Sequence, residues 1–185
     1  WILLSRYPVI VYTKTEKSSP NYLGFNKVYE VPSYLRYIID HYEVLPEFNI
    51  FVHGHRGSPH QDNFIDVIIN ELEFTEKITT LSRRDHYKYI EEGTDLPYMK
   101  YSWLSDNWTD LFGEELVLPK KLGFYGMAQF AVHKSCITQY RIEFWEHLYD
   151  WCLKTELPDW LSSRIFEFVW FYMFSKKPIF PKIKN

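Results

Sequence analysis

Cysteine is scarce in this chain: there are 2, Cys136 and Cys152, in 185 residues. A disulfide framework is therefore disfavoured, and each thiol reads as a small apolar residue within a helix. Glycine is also sparse, with 7 residues. None forms the spaced cluster that cradles a phosphate, which excludes Rossmann and phosphate-loop readings. Positive charge is not in excess, since the formal net charge is -3; a binder of nucleic-acid backbone would normally be basic. No run approaches the roughly 20 apolar residues that span a bilayer. The motifs HExxH and Asp-x-Asp and a close cysteine pair are all missing. The chain opens at Trp1 with no methionine and no signal peptide. The expectation is one domain cut from a longer multidomain polypeptide and residing in the cytoplasm.

Aromatic residues are plentiful. The chain is 46% hydrophobic and 19% aromatic, with 7 Trp, 15 Tyr and 14 Phe. That is enough to build a substantial core and to leave rings over for a ligand cleft. The length suits a single domain, 1–185, with residues 175–185 as a tail.

Residues 8–13 (PVIVYT) are β-branched and aromatic and predict a buried first strand. Tyr12 and Thr13 end it, at the place where nucleotide-binding sheets touch their ligand. Residues 26–31 read as a short strand. Pro32 opens a helix whose stripe is Tyr34, Leu35, Ile38, Ile39 and Tyr42. Residues 49–52 supply the next strand, Phe64 to Leu72 a second helix, and residues 77–81 another strand. This β-α-β pattern predicts α/β architecture with a mostly parallel central sheet flanked by helices. Residues 83–97 read as a long polar loop and 119–123 as a basic turn. Residues 99–112 read as a helix and 127–132 as a strand, with Gly126 permitting close approach. Ser135 opens a helix to Trp151, and a last, almost wholly apolar helix covers 164–174.

The segment Phe51-Val52-His53-Gly54-His55-Arg56-Gly57-Ser58-Pro59-His60-Gln61-Asp62 carries the most chemistry. Gly54, Gly57 and Pro59 break a strand just where polar side chains begin, and strand ends are where α/β sheets hold ligands. His53, His55, His60 and Asp62 form H-x-H-x4-H-x-D, donors that suit Zn or Mn. Arg56 is a fork suited to phosphate. Gln129, inside an apolar strand, needs buried partners or a ligand hydroxyl. Glu167 is the interior acid of the last helix; it is either an ion-pair partner of Arg164 or a cleft carboxylate acting as base. Asp159 is a second candidate base. Arg83, Arg84, Asp85 and His86 read as a solvated loop, and the stripe 166–174 as core.

Taken together, Tyr34-Leu35-x-Tyr37-Ile38-Ile39-Asp40-x-Tyr42, Leu45-Pro46, Ile50-Phe51-Val52-His53-Gly54-His55-Arg56, His60, Met127-Ala128-Gln129-Phe130-Ala131-Val132 and Ser163-Arg164-Ile165-Phe166-Glu167-Phe168-Val169-Trp170 resemble the family of domain of unknown function 3431. The pattern is also similar to nucleotide-sugar-dependent glycosyltransferases of the GT-A type. That resemblance implies a three-layer GT-A-like sandwich and transfer of a hexose or deoxyhexose from a nucleotide sugar to a glycan or glycoprotein. Gln129 and Glu167, with Asp159, would face the acceptor. His53, His55, Arg56, His60 and Asp62 would face the donor diphosphate. By analogy with algal-virus glycan-building proteins, the domain would be viral, work in host cytoplasm and be fused to other glycan-modifying domains. The missing Asp-x-Asp leaves the cofactor open between Mn, Mg and a metal-free mechanism, and no residue is assigned to a metal on this reading. Two alternatives stand beside it: a metal-dependent hydrolase using His53, His55, His60 and Asp62, and a non-catalytic carbohydrate-binding module.

Overall fold

Pro32 lies in the first turn of helix α1 (Val31–His41) and presets its φ. The computed structural model describes residues 1–83, 85, 87–125 and 128–177. After α1 come β1 (Phe48–Phe51), α2 (Ile65–Glu71), β2 (Ile78–Thr80), β3 (Tyr87–Glu91), β4 (Asp95–Leu96) and β5 (Met99–Lys100). Next in the chain are α3 (Tyr101–Phe112), β6 (Lys121–Tyr125), β7 (Phe130–His133), α4 (Lys134–Ile137), α5 (Ile142–Lys154) and α6 (Asp159–Ser175).

The architecture is α/β, but the sheets are small and antiparallel. The order β1-β7-β2 forms one sheet, β3-β6 a ribbon and β4-β5 a hairpin. Strand β7 pairs antiparallel with β1, Ile50 opposite Ala131, and with β2, Thr79 opposite Ala131. This overturns the mostly parallel, GT-A-like central sheet. β1 and β2 do run in the same direction, as a β-α-β unit requires, yet β7 lies between them. Apolar periodicity encodes a strand's exposure and not its neighbour, so an interposed antiparallel strand leaves no trace in that pattern.

Other local expectations shift for identifiable reasons. Residues 8–13 are not a sheet strand: Thr13 makes one isolated bridge, to Tyr22, and Val9, Ile10 and Val11 are exposed. Strand propensity measures fit to a pleated neighbour, and the sheets leave this run out. In place of a strand at 26–31 there is a tight turn. The polar stretch 83–97 contains β3, and the basic turn leads into β6; a two-stranded ribbon needs only one covered face. The expected helix from Ser135 breaks into α4 and α5, and His133 Nδ1, rather than Ser135, accepts the capping N–H. Gly126, Met127, Arg84, His86 and the tail beyond 177 lie outside the described residues.

Helix α6 anchors the core. It is apolar on nearly every side, as a helix buried by neighbours must be. Phe166, Phe168, Val169, Trp170 and Met173 are all essentially inaccessible. Phe168 stacks on Phe124 of β6 at 3.7 Å, and Trp170 packs on Phe130 of β7 at 5.6 Å. Cys136 and Cys152 are buried free thiols in helices. Among the described residues no helix is long and apolar enough to cross a membrane.

Because α6 bridges both sheets, Phe168→Ala should lower unfolding stability by about 3–5 kcal/mol. Val117→Ala, at a position 78% exposed, should change it by less than about 0.5 kcal/mol. Urea titration followed by tryptophan fluorescence measures both.

Candidate active site

β1 delivers the chain to His53, and a buried amide fixes the turn beyond it. Gln129 is 1% exposed and stands immediately before β7. Its Oε1 accepts the backbone N–H of His53 at 3.3 Å, and its Nε2 lies 3.0 Å from His60 Nε2. One side chain thus ties both ends of the histidine turn. Ala128, just before it, has φ 44, a left-handed backbone uncommon for any residue but glycine, asparagine or aspartate.

The turn is braced from outside as well. Arg56 donates from Nε and Nη2 to the two carboxylate oxygens of Asp66 at 2.9 and 3.1 Å, and its guanidinium lies 4.4 Å over Phe64. That bidentate pairing holds the Asp66 carboxyl below the usual carboxylate range. Arg56 therefore fastens the turn to α2. Arg83 N–H donates to His60 O at 2.9 Å, closing the far end.

The three imidazoles come together. Rings of His53 and His55 lie 5.1 Å apart, His53 and His60 6.0 Å, and His55 and His60 6.5 Å. One nitrogen from each lies within 4.8 Å of the others. His55 is exposed and His60 buried. Burial, then the neighbouring His55 and His60, pushes His53 down to about 4. A neutral His53 keeps a lone pair for a ligand.

An acidic half faces this turn. Glu30 Oε1 lies 3.8 Å from His53 Nε2, and both side chains are mostly covered. Burial pushes Glu30 up to about 7, with the Glu167 carboxylate adding to the rise and Lys14 opposing it. Tyr34, one helical turn after Glu30, is raised far above its ordinary value by burial, then by Glu30 and Glu167. The Tyr34 hydroxyl and His53 Nε2 are both buried without a hydrogen-bond partner, an arrangement that invites a ligand.

Glu30 is presented by a strained turn. Val28 has φ 53 and Tyr29 φ 43; each costs on the order of 1–3 kcal/mol and persists only when its surroundings impose it. Asp159 Oδ1 accepts the Val28 N–H at 3.0 Å, and Lys14 Nζ donates to the carbonyls of Lys27 and Tyr29. Asp159 thus positions the turn that carries Glu30.

The remaining candidates lie apart. Tyr12 donates its hydroxyl hydrogen to Asp40 at 2.7 Å, and Thr13 Oγ1 accepts the amides of Thr15 and Glu16. Asp62 is 81% exposed and 3.7 Å from Arg83. Beside the histidines an open hollow of about 570 Å³ is lined by Gly57, Ser58, Gln61, Asn63 and Phe64. Ser58 Oγ and both amide atoms of Gln61 are buried there without hydrogen-bond partners. Sequence reasoning missed Glu30, Lys14 and Tyr34. An acid directly before Val31-Pro32 is a usable signal, but it reads first as a partner for the helix dipole.

The profile of the family described as Protein of unknown function (DUF3431) matches residues 1–184, and the chain belongs to that family. No curated protein and no solved structure matches the chain.

The two buried titrating groups act on stability in opposite directions. Between about 4 and 6.5, His53 binds a proton only when unfolded, so folding weakens as pH falls. Between 4.5 and about 7, Glu30 holds a proton only when folded, so folding weakens as pH rises. The slopes offset one another in the wild type. Glu30→Gln exposes the His53 slope. Its thermal midpoint, measured with chelator present, should fall more steeply than the wild type's on acidification from pH 6.5 to 4.5. Parallel profiles would refute the raised Glu30.

Proposed function

We propose that this member of the DUF3431 family transfers a sugar from a nucleotide-sugar donor to a hydroxyl of a glycan or glycoprotein. The observation that carries the reading is the 3.8 Å approach of His53 to Glu30. It joins a ligand-binding histidine turn to a pair of acidic side chains. Glycosyl transfer needs both: positive groups to stabilise the departing diphosphate, and a carboxylate to orient or deprotonate the acceptor hydroxyl. The histidine turn serves the first role. Glu167 and Glu30 serve the second, while Asp159 positions Glu30 and Gln129 positions the histidine turn. The unpartnered Ser58 and Gln61 groups offer hydrogen bonds to donor hydroxyls. The reading rests on this site and not on the sheet, whose antiparallel order differs from the GT-A pattern.

A metal-dependent hydrolase is the second reading, favoured by the three converging imidazoles. Its carboxylate would be Glu30, since Asp62 is solvent-exposed. A carbohydrate-binding module gains less, because most of the aromatic rings are spent in the core.

A thermal-shift panel separates the readings. A nucleoside diphosphate at 100 times its dissociation constant should add about 2.7 kcal/mol of stability. Glu167→Gln should fold normally and lose transfer by at least about 100-fold, as expected for loss of an acid-base group. His53→Ala should lose transfer as well. Silence toward every nucleotide, or undiminished turnover in both variants, would overturn the proposal; stabilisation by zinc alone would support hydrolysis.

A further inference from the structure

The donors and their spacing define a metal site more closely than either functional reading requires. Three points on one turn, His53, His55 and His60, each offer a ring nitrogen, and these lie within 4.8 Å of one another. A cation at the centre of that triangle is no more than about 2.8 Å from each nitrogen, against the 2.0–2.1 Å of a zinc–imidazole bond. The closure required is about 0.7 Å per ligand. His55 stands exposed between Gly54 and Gly57, so it can supply much of that movement. Ring centroids in a tetrahedral three-histidine site lie about 5 Å apart, and here they span 5.1 to 6.5 Å.

We propose that His53, His55 and His60 bind one divalent transition-metal ion, with Glu30 beside the open coordination position. The identity follows from the donors. Neutral imidazole suits zinc, cobalt, nickel and copper, whereas magnesium and manganese prefer oxygen ligands. Asp62, four-fifths exposed and facing Arg83, is outside the set. Three protein ligands leave at least one position for water or a ligand oxygen, the mark of a catalytic rather than a structural site. His53 Nε2, buried and without a hydrogen-bond partner, is explained if a cation takes its lone pair. Around the ligands, Gln129 Oε1 fixes the backbone of the turn at His53, and Glu30 approaches the first ligand. The inference deepens the glycosyl-transfer reading, on which its role rests. Arg56 is committed to Asp66, so the charge facing a donor diphosphate comes from the metal. Metal binding itself stands apart from that role.

The experiment uses chelator-stripped wild-type chain titrated with Co²⁺ and then Zn²⁺. One equivalent of Co²⁺ should produce a visible d–d band of low-coordinate intensity, which Zn²⁺ abolishes and excess Mg²⁺ leaves intact. His55→Ala, exposed and so expected to fold, should weaken zinc binding beyond the roughly 10–100-fold expected for loss of an outer partner. Asp62→Asn should bind as wild type does. Lack of one-to-one uptake by the wild type, equal affinity in His55→Ala, or displacement by Mg²⁺ would overturn the assignment. Nucleoside diphosphate stabilisation is measured in parallel with and without chelator. Persistence in chelator refutes the metal's role and spares the transfer reading. Tight metal binding with no nucleotide response overturns the transfer reading and leaves the metal site standing.

Discussion

The amide of Gln129 is the constraint on which the candidate site depends. Buried at the head of the central strand, it leaves neither of its ends free: the oxygen takes an N–H from one end of the histidine turn and the nitrogen meets an imidazole at the other. A buried amide without partners would cost about 1–3 kcal/mol. The turn is thus held by the same term that satisfies the core. β7 is paired on both sides, by β1 and β2, and Gln129 stands directly before it. The histidines stand on a turn that Gln129 ties to this sheet at His53 and His60.

The acidic half is built on the opposite logic. Two consecutive non-glycine residues are forced into left-handed backbone, one of them β-branched and wholly buried. Asp159 from the start of α6 and Lys14 from the amino-terminal segment clasp that turn, and Glu30 follows it. Backbone strain located beside buried ionisable groups is a recurrent property of working sites. Here it aims a carboxyl at an imidazole while a second carboxylate, Glu167, bears on the first. Desolvation acts on both partners, lowering His53 and raising Glu30, and so weakens the ion pair between them.

Much of the histidine half was legible in the chain. Gly54, Gly57 and Pro59 mark a strand's end, and the density of imidazole there is visible without coordinates. The stripes of α1, α2 and α6 follow from spacing alone. Other features have no sequence signature. Val28 and Tyr29 are strand formers by composition, and nothing local announces a left-handed turn. Arg56 and Asp66 are ten residues apart, and only the fold of the turn makes them a pair. The place of β7 between β1 and β2 is a long-range choice, made by α6 and the aromatic packing of Phe130, Trp170 and Phe174. A period of two in burial reports neither strand partner nor direction.

The central claim is that a ligand-binding histidine turn and a pair of carboxylates share one centre, held by Gln129. Its most direct test is a crystal structure of the chain with a nucleoside diphosphate and Co²⁺, read with anomalous scattering at the cobalt edge. The account predicts one anomalous peak among the nitrogens of His53, His55 and His60, with phosphate oxygens on it and Glu30 alongside. A diphosphate bound elsewhere, or cobalt on surface carboxylates with the three imidazoles unengaged, would contradict it.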